Sequence, residues 1–454
     1  LDDGTRLQRH GPVCTITLAA PPVNALGHAL RLSLDRALDS CLADADLRAI
    51  VIMAEGPVFS AGADIREFGA PSRAPLLTDL CRRIEEAQIP VIAVLQGAAL
   101  GGGAEIALAA HYRLAGPAAR IGLPEVRLGL VPGAGGTQRL PRLIGAEAAL
   151  TLLTDGTSLD ATAAEAIGLV DGLLPDPSPA AAVAFAEGLI ARGLGPRPTL
   201  MLRDFIAEGA FWLAAVAAAR ATFADTPLMA QRRIVDCVEA ALLLPPDEGL
   251  GFERIAFEDC LASPASAALR HLFLAERRVP AALGRRGADG MLALTAEGQG
   301  LAQRLDAALG RAAAALVRGG LAAAAVDAAI VDLGFAAGPF GGTATGGSGP
   351  VARCLTAAVM AEGGRLLAEG VVARTADIDA IAVAGAGWPR LTGGPMHHAG
   401  ATGLAALLQD MAAWGTDDPV WDPPPALREA VKYAGGFDAL DAQVNPGSRP
   451  RQPA

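Results

Sequence analysis

The sequence predicts an α/β fold in its first part and all-helical domains after it. Three features carry that prediction. Short apolar runs alternate with amphipathic segments between residues 13 and 115. A glycine-rich turn, Gly101-Gly102-Gly103, joins a central apolar strand to a helix. After Gly136 the pattern turns helical, and no clear strand repeat returns.

Taken in order, Val13–Leu18 alternates as a strand that Pro21-Pro22 ends. A helix over about 28–42 follows, its Leu30, Leu34, Leu38 and Leu42 on one face. Residues 49–53 read as a buried strand broken by Gly56-Pro57, residues 59–64 as a small-residue turn, and 75–88 as a second helix. Val91–Leu95 is the central strand. It runs into Gly97, the glycine turn and a helix over 104–110 with Glu105 in its first turn. Glu125 follows Pro124 in a loop-like segment, and the run from Gly133 to Gly136 leads into helices at 137–144, 146–154, 161–167 and 180–191.

The stretch 193–198 reads as a domain boundary and 200–278 as all-helical, interrupted at Pro245-Pro246, with Asp247 a candidate cap. Residues 277–290 read as a connector, 292–333 as helical, 341–349 as a flexible link and 353–369 as a helix ending at Gly370. Two blocks resemble each other: Val326-Asp327-Ala328-Ala329-Ile330 leads to Gly338-Pro339, and Ile378-Asp379-Ala380-Ile381-Ala382 leads to Gly394-Pro395. They suggest a duplicated helical unit.

With 454 residues there is room for two or three domains. A net charge of −11 argues against nucleic acid as a partner, though a few arginines can still hold a small anion. The most apolar segment, 209–219, is shorter than the roughly 18–20 residues of a membrane span and reads as a buried helix. Cysteines 14, 41, 81, 237, 260 and 354 form no CxxC pair, so reduced thiols and a cytoplasmic chain without a zinc ribbon are expected. The first residues have no signal-peptide core, and 441–454 reads as a disordered tail without a Ser-Lys-Leu address. Because the chain begins with Leu, a few preceding residues are expected to be absent.

The chemistry concentrates in 91–136. The Gly102 N–H at a helix start and an N–H of the Gly62-Ala63 turn could together polarise a thioester carbonyl, each such donor contributing about 3 kcal/mol to a transition state. An α,β-double bond then becomes electrophilic at Cβ, and two carboxylates could move the protons. By spacing alone, Glu105 is equally an ordinary first-turn acid and Glu125 a surface acid. His397-His398 could bind metal, but no acid or cysteine cluster accompanies the pair, and structural histidines are the simpler reading.

Four stretches change the balance: PPVNAL at 21–26, FSAGADIREF at 59–68, QGAALGGGAEIALAAHYRLA at 96–115 and IGLPEVRLGLVPGAGGTQRLPRLIG at 121–145. In this order and spacing, residues 1–190 resemble the crotonase (enoyl-CoA hydratase/isomerase) superfamily. The resemblance implies a spiral ββα core that trimerises in simple members. It implies that Ala63 and Gly102 supply the oxyanion-hole N–H groups, and that Glu105 and Glu125 are the acid/base pair of a syn hydration. In the family the first acid chiefly activates water and the second handles the Cα proton. Ala25, Ala61, Gly62, Asp64, Ile65 and Gly101 would line the coenzyme A substrate. Arg66 is either a phosphate neighbour or a solvated arginine.

Residues 247–278 resemble the linker helix of β-oxidation multifunctional enzymes, which join this domain to a 3-hydroxyacyl-CoA dehydrogenase. Residues 326–341 and 373–399 resemble that dehydrogenase's helical domains. The NAD-binding Rossmann domain that belongs between them has only 279–299 to occupy, where well over about 100 residues are needed. Gly347-Ser348-Gly349-Pro350-Val351-Ala352 and the strand-like IAVAGAG at 381–387 are chance fingerprints, and the dehydrogenase's His–Glu pair has no home.

The expected organisation is therefore 1–195 hydratase domain, 196–278 helical extension and linker helix, 279–299 connector, 300–340 and 350–440 dehydrogenase-type helical domains, and 441–454 tail. The expected activity is hydration of trans-2-enoyl-CoA, with no metal, no NAD and no dehydrogenase step. The alternatives are Δ3,Δ2-enoyl-CoA isomerisation or a non-catalytic acyl-CoA-binding scaffold subunit. An acyl-CoA thioester is the expected partner and a separate dehydrogenase or thiolase a candidate one. The appended helices suggest a monomer or dimer, with the oligomeric state left open.

Overall fold

The computed structural model describes residues 4–287, 290–415, 418–432, 437 and 441. It divides the chain into two compact units, Leu1–Ser263 and Pro264–Ala454.

The first unit starts with an antiparallel hairpin of β1 (Thr5–His10) and β2 (Val13–Leu18). The sequence pattern marks only β2, because β1 is an edge strand carrying Arg6 and Arg9 toward solvent. After α1 (His28–Leu42) the chain makes three strand–strand–helix turns. They are β3 (Ala49–Ala54), β4 (Val58–Ser60) and α2 (Leu77–Glu85); β5 (Val91–Leu95), β6 (Ala98–Leu100) and α3 (Gly102–Ala109); then β7 (Tyr112–Ala115), β8 (Arg120–Gly122) and α4 (Gly136–Ile144). In each turn the first strand joins one sheet and the second strand another. α5 (Ala146–Asp155), β9 (Ser158–Asp160), α6 (Ala161–Ala166), β10 (Gly172–Leu173) and α7 (Pro179–Ala191) complete the spiral. One sheet runs β1-β2-β3-β5-β7-β10, parallel from β2 onward, and the other β4-β6-β8-β9. This is the spiral ββα core that the resemblance implies. The second sheet's strands have three residues each, too few for alternation to show in sequence.

Both faces of the main sheet are covered, so its strands read as continuous apolar runs. Ile50, Ile52 and Ala54 of β3 pack with Leu30, Leu34 and Ile84 on one face, while Ala49, Val51 and Met53 pack against Ala182, Val183 and Ala186 of α7 on the other. Each such fully buried aliphatic side chain contributes about 1.5–3 kcal/mol.

The stretch 193–198 does not end this unit. α8 (Gly209–Thr222), α9 (Met229–Leu243) and α10 (Pro246–Leu261) pack on α4 and α5 in the same core, and the Trp212 indole N–H donates to the Val238 carbonyl at 2.9 Å. Two expectations change here. α8 is not a buried helix: only Trp212 and Val216 are buried and Phe211 is 78% exposed, because an alanine-rich helix packs one narrow stripe. Asp247 does not cap α10, which Pro245 precedes directly. It lies in the first turn, where its charge suits the positive helix end. The 247–278 stretch is two helices, as the sequence pattern near 249–262 and from Ser263-Pro264 onward indicates, and the units meet in sequence at that break.

The second unit is mostly helical but not all-α. Between α11 (Pro264–Glu276) and α12 (Ala296–Arg318) lies a hairpin of β11 (Gly284–Arg286) and β12 (Leu292–Leu294), within the stretch read as a connector and the start of a helix. α13 (Ala323–Asp332), α14 (Gly349–Ala368), α15 (Thr375–Gly385), α16 (Pro395–Ala401), α17 (Leu404–Trp414) and α18 (Pro425–Ala430) follow. The IAVAGAG stretch begins inside α15, so it is helical rather than a strand. The 341–349 segment is not a free link: the Asp332 carboxylate accepts from the N–H groups of Gly346 and Gly347. Apart from Asp441, the 441–454 tail lies outside the described residues.

The two similar blocks share one device. Asp327 on α13 accepts from the N–H groups of Phe340 and Gly342, just after Gly338-Pro339. Asp379 on α15 accepts from those of Met396 and His397, just after Gly394-Pro395. In both blocks the glycine is where the aspartate's own backbone comes close: an added Cβ would lie 2.3 Å from the Asp327 Cα and 2.6 Å from the Asp379 Cα. This supports the duplicated helical unit. Replacing Asp379 by Ala strands those N–H groups, and urea unfolding of the full chain is expected to show about 2–3 kcal/mol lost from the second unit's transition.

Candidate active site

Two left-handed glycines bring two backbone N–H groups together. Gly62 (φ 91°) follows β4 and Gly101 (φ 52°) precedes α3, conformations that side chains resist. Here the loops nearly touch: a Cβ on Gly62 would lie 2.7 Å from the Leu100 carbonyl oxygen, and one on Gly102 would lie 3.4 Å from the Ala63 nitrogen. Gly62 and Gly101 spend their own N–H groups on Ser60 Oγ and the Gly122 carbonyl. Among the described residues, the Ala63 and Gly102 N–H groups find no acceptor. Two adjacent unspent donors, one at a helix start, have the chemistry to bind an oxyanion.

The loop that carries Ala63 is braced by a residue the motif reading left aside. Asn24, buried with a positive φ of 48°, accepts from the Ala20 N–H at 2.8 Å and donates to the Val58 carbonyl at 2.8 Å. The Ser60 hydroxyl donates to the Asn24 carbonyl, and the Leu26 N–H to the Gly62 carbonyl. These bonds set Ala25 and Ala61 on neighbouring loops. Asp64 caps the short turn Ile65–Glu67 and pairs with the Arg66 guanidinium at 2.7 Å, so Arg66 has a carboxylate partner rather than standing free.

Every residue of α3 is buried, so Glu105 enters the interior with it. Its Oε1 accepts from the N–H groups of Ala134 (2.6 Å) and Gly136 (3.0 Å), where the glycine run opens α4. Burial raises its pKa, against the pull of those two N–H groups and of Arg139. Glu125 lies in a 3-10 turn, Pro124–Leu128, rather than a loop. Its Oε1 would stand 3.0 Å from a Cβ on Gly101, beside the N–H pair. Its Oε2 is shielded from solvent and has no hydrogen-bond partner. Burial, then the Glu105 charge, holds its pKa well above the usual carboxylate range.

A third carboxylate, absent from every motif, enters from α10. Glu253 is 1% exposed and accepts from the N–H groups of Gly135 (2.5 Å) and Thr137 (2.8 Å) and from the Thr137 hydroxyl. Its pKa is pushed up to about 8, by burial first and Glu105 second. Only its distance in sequence hid it. Behind the turn, buried Arg139 donates to the Ala134 carbonyl at 2.7 Å and pairs with Glu85 at 2.8 Å. A cavity of about 450 Å³ opens on the far side of Ala134, lined by Leu76, Thr78, Arg139, Leu250 and Ile255.

His397 and His398 join no metal site: among the described residues no cluster of three or more ligating side chains occurs. His397 stacks on His271, which bonds Asp379 at 2.8 Å. No helix among them is long and apolar enough to cross a membrane.

A spiral ββα core that brings together two acceptor-free N–H groups, Ala63 and Gly102, and two carboxylates, Glu105 and Glu125, is the arrangement that the crotonase resemblance implies. Residues 8–190 match the enoyl-CoA hydratase/isomerase family. A Danio rerio "Peroxisomal bifunctional enzyme" is 41% identical over 265 residues, covering 58% of this chain and 37% of the relative. A Bacillus subtilis (strain 168) protein named "Probable enoyl-CoA hydratase" is 45% identical over 165 residues, covering 35% of this chain and 64% of the relative. The solved enoyl-CoA hydratase of Mycobacterium tuberculosis H37Rv is 27% identical, with a TM-score of 0.40, and the match covers 57% of this chain and 100% of that one. The chain thus spans well under half the length of the bifunctional relative.

Because Glu253 titrates near 8 when folded and near 4.5 when unfolded, the folded chain keeps a proton that the unfolded chain has lost in between. That contribution to stability is present below pH 4.5 and disappears as pH rises through 8. Glu105 and Glu125 act in the same direction. The melting temperature of the first unit is expected to fall between pH 5.5 and 8.5, and calorimetry on Glu253→Gln is expected to show a flatter slope.

Proposed function

We propose that the chain catalyses reversible hydration of trans-2-enoyl-CoA to 3-hydroxyacyl-CoA. One observation carries the reading: the Glu125 carboxyl, its Oε1 close to the Gly101 turn and its Oε2 without a partner, accompanies two unspent N–H donors and a second held carboxylate. The thioester oxygen accepts from Ala63 and Gly102, which draws electron density from Cβ. The water oxygen bonds to Cβ and its proton passes to Glu105, whose carboxylate accepts from the Ala134 and Gly136 N–H groups, partners that oppose the upward push of burial on its pKa. Electron density moves to Cα, which takes a proton from Glu125, the carboxyl that its site keeps protonated. The two titrate as a pair. Proton exchange between them and solvent then resets the site, and no metal or NAD enters.

Isomerisation of a Δ3-enoyl-CoA uses the same N–H pair, with Glu125 alone carrying the proton; the intact Glu105 arrangement favours hydration. The product alcohol calls for a separate dehydrogenase. All six cysteines are free and buried, which supports a reducing, cytoplasmic setting, whereas the name of the Danio rerio relative places that protein in peroxisomes.

With crotonyl-CoA, wild type is expected to remove the enoyl-thioester absorbance. Glu105→Gln and Glu125→Gln should each lower kcat by roughly 10²–10⁴-fold while KM moves little. Turnover at wild-type rates in either variant rejects the assignment. NAD added to the product is expected to yield no NADH.

A further inference from the structure

Four consecutive N–H groups, Ala134 to Thr137, are divided between two carboxylates from distant parts of the chain. Glu105 on α3 takes the first and third, and Glu253 on α10 the second and fourth. Neither carboxylate can shift without moving the turn that the other holds. Glu253 is locked in turn. The Thr137 hydroxyl donates to its Oε2, and Gln138 braces Thr137 through an amide N–H to the hydroxyl at 2.9 Å, shared with the Cys237 carbonyl. α10 lies close enough to α4 that a Cβ on Gly249 would stand 2.3 Å from Gln138 Oε1.

We propose that Glu253 is a positioning residue for the reaction. It holds the 134–137 turn so that Glu105 is aimed at the water, and when ionised its charge opposes loss of the Glu125 proton. This rests on the hydratase reading and extends it in one respect: the matched domain, residues 8–190, is catalytically incomplete without a helix that begins at Pro246. Several groups share the field. Glu105 and Glu125 carry like charge, Arg139 the opposite charge with Glu85 as its partner, and Cys81 and Cys237 are held as neutral thiols by burial. The Glu253 carboxylate, when ionised, adds to the Glu105 charge in raising the Glu125 pKa.

The test is steady-state crotonyl-CoA hydration by the full chain across pH 5.5 to 9.5, wild type beside Glu253→Ala. The expected result is kcat lower by roughly 10- to 100-fold with KM within about threefold. The basic limb of the kcat profile, where Glu125 loses its proton, should move to lower pH because a like charge has gone. A purely structural role would lower the active fraction without moving that limb. A folded Glu253→Ala variant with wild-type kcat and limb overturns the proposal. If that variant does not fold, Thr137→Val removes one of the bonds to Glu253, and a severalfold loss of kcat at unchanged KM is expected; no change overturns the proposal. An inactive wild type would instead overturn the hydratase reading, and this proposal with it.

Discussion

The site depends on how a buried carboxylate is held. Glu105 sits on a helix with no exposed residue, where an ionised group without partners would be far too costly. The two N–H groups at the start of α4 supply what water would have supplied. Glu125 receives no such partners at its Oε2 and is driven toward the protonated form. Two residues of one chemical type thus stand in different surroundings, and the proposed division of labour between them rests on that difference.

That arrangement reaches outward through the turn. Arg139 fixes the Ala134 carbonyl and is neutralised by Glu85, which also accepts from the Leu200 N–H. Glu253 brings in α10. The helices after residue 200 are therefore part of the unit that shapes the site, and the boundary lies at Ser263 rather than near 195. The proline-rich stretch at 193–198 looked like a linker because its composition breaks secondary structure. It does so here inside a compact unit, where the chain crosses from α7 to the helices packed on α4 and α5.

The second unit shows a different economy. Two aspartates, Asp327 and Asp379, each clasp the backbone just beyond a Gly-Pro pair. The glycine is required because the clasp brings the backbones within reach of each other. A repeat that looked loose as letters becomes definite as hydrogen bonding, since the conserved element between the two blocks is a geometry and not a run of residues.

The sequence by itself showed β2, β3 and β5 of the main sheet, the order of the helices around them and the turns that carry Glu105, Glu125, Ala63 and Gly102, whose roles only the resemblance implied. Each is encoded locally, by five- and six-residue apolar runs, by helical periodicity, or by glycines that a left-handed turn demands. It could not show β4, β6, β8 and β9, whose three residues carry no period, nor the hairpin that follows α11. Only the tertiary structure decided that Glu253, more than a hundred residues from the turn it holds, belongs to the site. The physical reason is that its partners are backbone N–H groups. Every residue but proline has one, so no side-chain pattern announces where a carboxylate will be received.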